Sequence, residues 1–386
     1  MGALARSLGT PPLLVCIAGV MSCGPPPAMD GGDRTGAGTG ASDVSGSPVG
    51  VSSGAPAGGS GMNASSAGST AALPADAMSS ASADRFPATS IIYEDVSQAA
   101  IDPNSQVIID HLDGAGGWGS GKFQIDFSLT ILHADSSVTP RPFTRAAGYY
   151  TPDCDVTSVP IPPDGNAEGS ADYACTGGDC HILVYQGTRL YELYNANIAG
   201  GSAAGSPFTT RCEVVWDLTR DYWEATSGGA YSRGDQCTSA DAAGMPIAPL
   251  LVIGAELKSG AVDHALRFTL PNADIRAGVY AHPGTHIGGP TGDALMPPYA
   301  SRFRLKSTFN AAGLTPGAQV VAKALQEYGM FLDDGGNIPL TVDASAAAEL
   351  GSHDLSSLKV TDFEIVAPPG PAIDATGNCT RTPLTQ

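Results

Sequence analysis

Basic residues are scarce in this chain. Its 386 residues carry 19 Lys and Arg against 38 Asp and Glu, a formal charge of −19. A surface of that sign repels phosphates, which are held by Lys and Arg, and nucleic acid is excluded as a partner. Long apolar runs are missing too. The stretch Pro12 to Met21 is about half of the roughly 20 residues that span a bilayer, and no later run reaches that length. Motifs of established catalytic chemistry are also scarce: there is no H-E-x-x-H, no Walker loop and no G-x-G-x-x-G after a strand. No cofactor and no metal are therefore expected.

What is present begins at the N-terminus. Arg6 and the amino group form a thin basic start, the apolar stretch follows, and Val20-Met21-Ser22-Cys23 closes it. This order resembles a bacterial lipoprotein signal, with residues 1–22 as the signal peptide and Cys23 as the lipidated new N-terminus. Two or more acyl chains on Cys23 would anchor the chain stably to a membrane. Gly24, in place of Asp, suits a Gram-negative lipoprotein sent to the outer membrane. An ordinary secretory signal cut near Ser22 or Gly24 is the alternative.

Residues 23–84 are rich in Gly, Ser and Ala and have no apolar period. Such a stretch buries too little to offset its ordering entropy and is predicted to be a disordered tether. Its r.m.s. reach as a flexible coil is roughly 40–45 Å. Residues 85–386 then form one extracytoplasmic domain, ample for a large core. Cys154, Cys175, Cys180, Cys212, Cys237 and Cys379 follow Cys23. An even number in an exported chain reads as disulfides. Chain proximity favours Cys212–Cys237 and one bridge among Cys154, Cys175 and Cys180.

The domain reads as mainly β with a few helices, a β-sandwich or jelly-roll core. Gly121 to Leu132 alternates apolar and polar residues over a full strand. His181 to Tyr185 and Arg189 to Tyr194 read as a hairpin around Gln186-Gly187-Thr188. Further strands are expected over Arg211 to Leu218, Val262 to Leu270 and Ser301 to Ser307, the last with its basic residues on one face. Thr315-Pro316 opens a helix, with Thr315 as cap, Val320, Val321, Ala324, Leu325 and Tyr328 as its apolar stripe and Gly329 beyond its end. Ile247 to Lys258, Ser239 to Gly244 and Asp343 to Leu350 are the other helical candidates.

Several motifs stand in one order: Gly178-Asp179-Cys180-His181, Leu190-Tyr191-Glu192-Leu193-Tyr194, Thr238-Ser239-Ala240-Asp241, Asp263-His264-Ala265-Leu266-Arg267, Arg302 to Lys306, and Tyr328 to Leu332 followed by Asp334-Gly335-Gly336. The series, over about residues 100 to 340, resembles a group of large secreted bacterial proteins with no assigned activity. The resemblance implies export and the extent of the domain, and no mechanism.

Candidate chemistry is a scatter of ionisable groups. His264 falls by period two on the inward face of Val262, Leu266 and Phe268, as a core histidine or a pocket wall. Arg267 then lies on the other face with Asp263, as a surface pair. His181 and Glu192 share the hairpin face with tyrosines, either as an acid–base pair or as a buried pair that fixes register. Asp241 suits the first turn of a helix capped by Ser239, and Glu168 lies in a loop, where functional groups concentrate. Two carboxylates across a cleft would suit glycoside hydrolysis. Asp333-Asp334-Gly335-Gly336 reads as a tight acidic turn, and the tryptophans as core residues. His282 and His286, spaced by four in a Pro/Gly loop, are a weaker metal candidate.

The leading expectation is a surface lipoprotein that binds or cleaves an extracellular polysaccharide. If it is an enzyme, it is glycoside hydrolase-like, with Glu168, Glu192 or Asp241 as acid and His181 or His264 positioning protons. The alternatives are a non-catalytic adhesive or structural lipoprotein and a metal-dependent hydrolase using His181, His264 or the His282/His286 loop.

Overall fold

A computed structural model describes residues 84–201, 204–223 and 232–385. The expected signal peptide, Cys23 and all of the tether before Asp84 lie outside the described residues.

The expected strand over Gly121 to Leu132 divides at Thr130 into β1 (Ile125–Leu129) and β2 (Ile131–His133). The chain passes there from one sheet to another, as sandwich corners commonly do. A short β3 (Thr144–Arg145) precedes the predicted hairpin, β4 (Ile182–Gln186) and β5 (Arg189–Tyr194). Leu183 pairs with Glu192, and Gln186 with Arg189, leaving a two-residue turn at Gly187-Thr188. Next come β6 (Asn197–Ile198), β7 (Phe208–Thr210) and β8 (Cys212–Asp217). After a long connection the chain forms β9 (Leu266–Leu270), β10 (Val279–Tyr280) and β11 (Arg302–Leu305). β12 (Met330–Gly335), β13 (Leu340–Asp343), β14 (Phe363–Ile365) and β15 (Ile373–Asp374) complete the set among the described residues.

The fold is mainly β with few helices. A six-stranded mixed sheet runs β1-β13-β9-β12-β11-β14, and a four-stranded mixed sheet runs β2-β4-β5-β8. One apolar cluster joins them: Leu183, Leu190, Val214 and Trp216 from the smaller sheet, and Leu266, Phe268, Phe303 and Phe331 from the larger. The opposite face of the smaller sheet, through Ile182, Val184, Tyr191, Leu193 and Val215, covers a second cluster with Val159, Ile161, Tyr173 and Phe208. Burial on both faces explains why His181 to Tyr185 reads as a continuous apolar run rather than an alternating one.

Among the described residues the helices are Ser105–Gly114, Gly254–Ser259 and Pro316–Glu327. The last was predicted, and Gly329 beyond it has φ +67°, in the left-handed region glycine favours. Thr315, however, donates its hydroxyl to Asp354 at 2.8 Å instead of capping. The expected helix over Ile247 to Lys258 divides into a 3-10 turn at Ala248–Leu250, containing Pro249, and the helix ending at left-handed Gly260. Asp343 to Leu350 is a 3-10 turn, Ala344–Ala348, capped by the Asp343 carboxylate. Ser239 to Gly244 is not helical. The helix at Ser105 was not anticipated; it buries Ile109 and Leu112 one turn apart.

The disulfides are Cys154–Cys212, Cys175–Cys180 and Cys237–Cys379. Cys175–Cys180 is the expected local bridge. The Cys212–Cys237 pairing is corrected. Cys212 starts a strand beside the 154 loop, with Asp155 N–H bonded to the Glu213 carbonyl at 2.7 Å, and Cys237 faces the C-terminal segment instead.

Candidate acid–histidine site

Glu168 and His181 meet as the sequence reading allowed, although with each other rather than through Glu192. The Glu168 carboxylate lies 2.7 Å from His181 Nδ1, and the Glu168 N–H bonds the His181 carbonyl at 2.8 Å. The other ring nitrogen, Nε2, is 3.0 Å from the Ala240 carbonyl. Both nitrogens face acceptors, so the ring has use for two protons. Burial alone would lower this imidazole. The Glu168 carboxylate outweighs burial, with help from Asp179 and Asp334, and the ring is held up at about 9. It is therefore an imidazolium at neutral pH.

The Ala240 carbonyl leads directly to Asp241, which is fully buried. There is no helix start here. Instead Asp241 N–H bonds the Ser239 hydroxyl at 2.9 Å, and its carboxylate takes Arg267 Nη2 at 2.5 Å and Ala243 N at 3.2 Å. Arg267 is 3% exposed, which corrects the expected surface pair with Asp263. Asp241 supplies what makes burial of the guanidinium tolerable.

Two further acids share Arg267, and sequence reasoning missed both. Asp334 lies 3.7 Å from Arg267 Nη2, and Asp333 acts on the same guanidinium from full burial. The pair read as a tight turn, but it ends strand β12. Neighbours in a strand point to opposite faces. Here the register with β9 shifts between Leu332 and Asp334, and a bulge of that kind re-aims side chains. The legible signal was two acids directly after the apolar run Met330-Phe331-Leu332.

Three carboxylates around one guanidinium cannot all ionise cheaply. Burial, then Asp241, drives Asp333 far above the usual carboxylate range. Neither of its oxygens has a hydrogen-bond partner among the described residues, which suits a protonated acid. Burial first, then Asp241 and Asp179, push Asp334 up to about 8. Its side chain is 19% exposed, so Asp334 is the proton-bearing member of the cluster that reaches solvent. Asp179 is also partly exposed, and the Tyr194 ring leans on His181 at 5.8 Å and on Tyr150 at 6.4 Å.

Glu192 lies behind this site. It is 0% exposed and accepts from Trp216 Nε1, Ile247 N and Ala248 N, each at 2.8 Å. Burial outweighs these bonds and raises it to about 7. No polymer can touch it there. His264 stands elsewhere. It precedes β9 rather than belonging to it, pairs with Glu256 at 3.2 Å, and lines a cavity of about 560 Å³ that none of Glu168, His181, Glu192 and Asp241 enters. The candidate metal loop is occupied by its own structure: His282 pairs with Asp235 at 2.8 Å, and His286 Nδ1 lies 3.0 Å from the Ala242 carbonyl. The three tryptophans are core residues, as expected.

No family model, curated protein or solved structure matches this chain, so its chemistry is read from its own residues.

Proposed function

We propose that the domain cleaves glycosidic bonds of an extracellular polysaccharide. The observation that carries this is Asp334: a carboxyl raised to about 8, at the solvent edge of a buried acid cluster, with the Asp179 carboxylate near enough to act on it. Raising one of two carboxyls makes it an acid at neutral pH while the other remains a base or nucleophile. Asp334 would protonate the leaving oxygen as the glycosidic bond breaks, and water would supply the new hydroxyl. Glu168, His181 and Asp241 are positioning residues: the imidazolium holds the Ala240 carbonyl, and Asp241 holds Arg267 beneath Asp334.

The setting is part of the reading. Three disulfides support an oxidising compartment, and Cys23 would anchor the chain to the cell envelope, with the tether giving the domain reach. The test is release of reducing ends by the full chain from a panel of polysaccharides. The wild type should release them from at least one polymer, and Asp334→Asn should lose that activity by about 10²–10⁴-fold with unchanged folding.

A non-catalytic surface lipoprotein is the second reading. It is favoured by burial of the ion pair, with Glu168 at 7% and His181 at 5% exposed, as in a polar seam that only fixes structure. Binding of a polymer without release, unchanged in Asp334→Asn, would select it.

A further inference from the structure

A second pocket lies away from these acids. It has a volume of about 420 Å³ and sits where the first residue of β5, the last of β8 and the C-terminal residues 381–384 meet. Four arginines line it: Arg189, Arg220, Arg233 and Arg381. The chain has 19 basic residues in all, so this is a marked concentration.

Two of the four are fixed in place. Asp155, fully buried, takes Arg233 Nη2 at 2.6 Å on one oxygen and Arg381 Nη2 at 2.7 Å on the other. The same carboxylate accepts Val215 N at 3.1 Å and Leu384 N at 2.8 Å. Strand β8 and the C-terminal segment thus converge on one anion, and both guanidinia are set before any ligand arrives. The other two are exposed. Arg189 and Arg220 have no ion pair or side-chain hydrogen bond among the described residues, although Arg220 lies 4.7 Å over the Tyr222 ring. Asp217, the acid in the lining, is turned to its own loop, where one oxygen takes Thr219 N at 2.9 Å and Thr219 Oγ1 at 2.7 Å. The lining therefore carries four arginines against one carboxylate, the engaged Asp217, while Asp155 and then Asp153 act on Arg233. The surplus is positive in a molecule of charge −19.

We propose that this pocket binds an oxyanion (a carboxylate, sulfate or phosphate group) carried by a small, sugar-sized molecule. Guanidinium forks match such groups bidentately and are less costly to desolvate than ammonium. Fixing Arg233 and Arg381 in advance removes ordering cost from binding. Arg189 and Arg220 supply the unsatisfied donors, and the Tyr222 ring supplies an apolar wall. The volume lies within the range of small-molecule sites. A local positive field on an acidic protein also concentrates anions at that spot. This site is independent of the glycosidase reading and would stand if Asp334 proved inert.

The test is calorimetric titration of the full chain with glucuronate, inorganic sulfate and inorganic phosphate at fixed ionic strength, with glucose as the neutral control. Saturable binding of at least one anion, with none for glucose, is expected. Glucuronate alone would identify a carboxylated sugar; sulfate or phosphate would identify the free anion or its ester. The double variant Arg189→Ala/Arg220→Ala should weaken binding by about tenfold or more for each arginine removed. Both residues are exposed, so the fold should survive. Asp334→Asn should bind as the wild type does. Absence of saturable binding by all three anions, or equal binding by the double variant, would overturn the proposal.

Discussion

Arg267 and Asp241 form a buried ion pair at 2.5 Å, and Asp333 and Asp334 act on the same guanidinium. Arg267 comes from a central strand of the larger sheet and Asp241 from the connection before it. Together they make the sandwich interior able to hold Asp333 and Asp334. Removing one partner of such a pair leaves an uncompensated buried charge. We predict that Arg267→Ala lowers unfolding free energy by about 3–5 kcal/mol in urea titration. Adding Asp241→Asn should recover part of that loss. Additive losses in the double variant would contradict the coupling.

Stability should fall with rising pH. His181 is raised to about 9, Asp334 to about 8, and Glu192 and Glu213 each to about 7. All four shifts are upward, so the folded state holds protons that the unfolded chain releases near 4 for the acids and 6.5 for the histidine. The stability these groups contribute is full below those values and is lost as pH rises through about 7 to 9. The urea midpoint should be higher at pH 5 than at pH 9. A flat or rising profile over that window would show that the acids are not held protonated.

Glu192 should matter to folding and not to turnover. It accepts three hydrogen bonds from buried donors. Glu192→Ala leaves all three unpaired, at about 1–3 kcal/mol each. A large drop in thermal midpoint is expected, with specific activity of the surviving folded protein preserved. Loss of activity without loss of stability would place Glu192 in the chemistry instead.

The disulfides should contribute unequally. Cys237–Cys379 spans 142 residues and Cys175–Cys180 only 5. Loop-closure entropy gives about 5 kcal/mol for the first and about 2 for the second. The paired Cys→Ser variants, compared by equilibrium unfolding, should follow that order. Cys237→Ser/Cys379→Ser should also weaken anion binding, because the bridge tethers the segment that carries Arg381.

Much of the fold was legible because it is local. The hairpin around Gly187-Thr188 follows from two strand-length runs and a short turn. The helix from Pro316 follows from proline at its first position and an apolar stripe at helical spacing. The candidate site was only half legible. Glu168, His181 and Asp241 were singled out by residue type and context, and the structure brings them together. Arg267, read by alternation as a surface residue, is buried because the connection that carries Asp241 packs against its side of the strand. Asp333 and Asp334 were hidden by the bulge, which breaks the period on which face assignments rest.

By itself, then, the sequence determined composition, charge sign, the mainly β character and the short-range elements, because propensity and periodicity act over a few residues. Tertiary structure alone decided which cysteines bond, which acids share Arg267, and that four arginines from distant segments surround one pocket. Those pairings depend on how the sheets pack. Burial then sets charge states, since a carboxyl's proton affinity follows from the solvent and neighbours that packing leaves it.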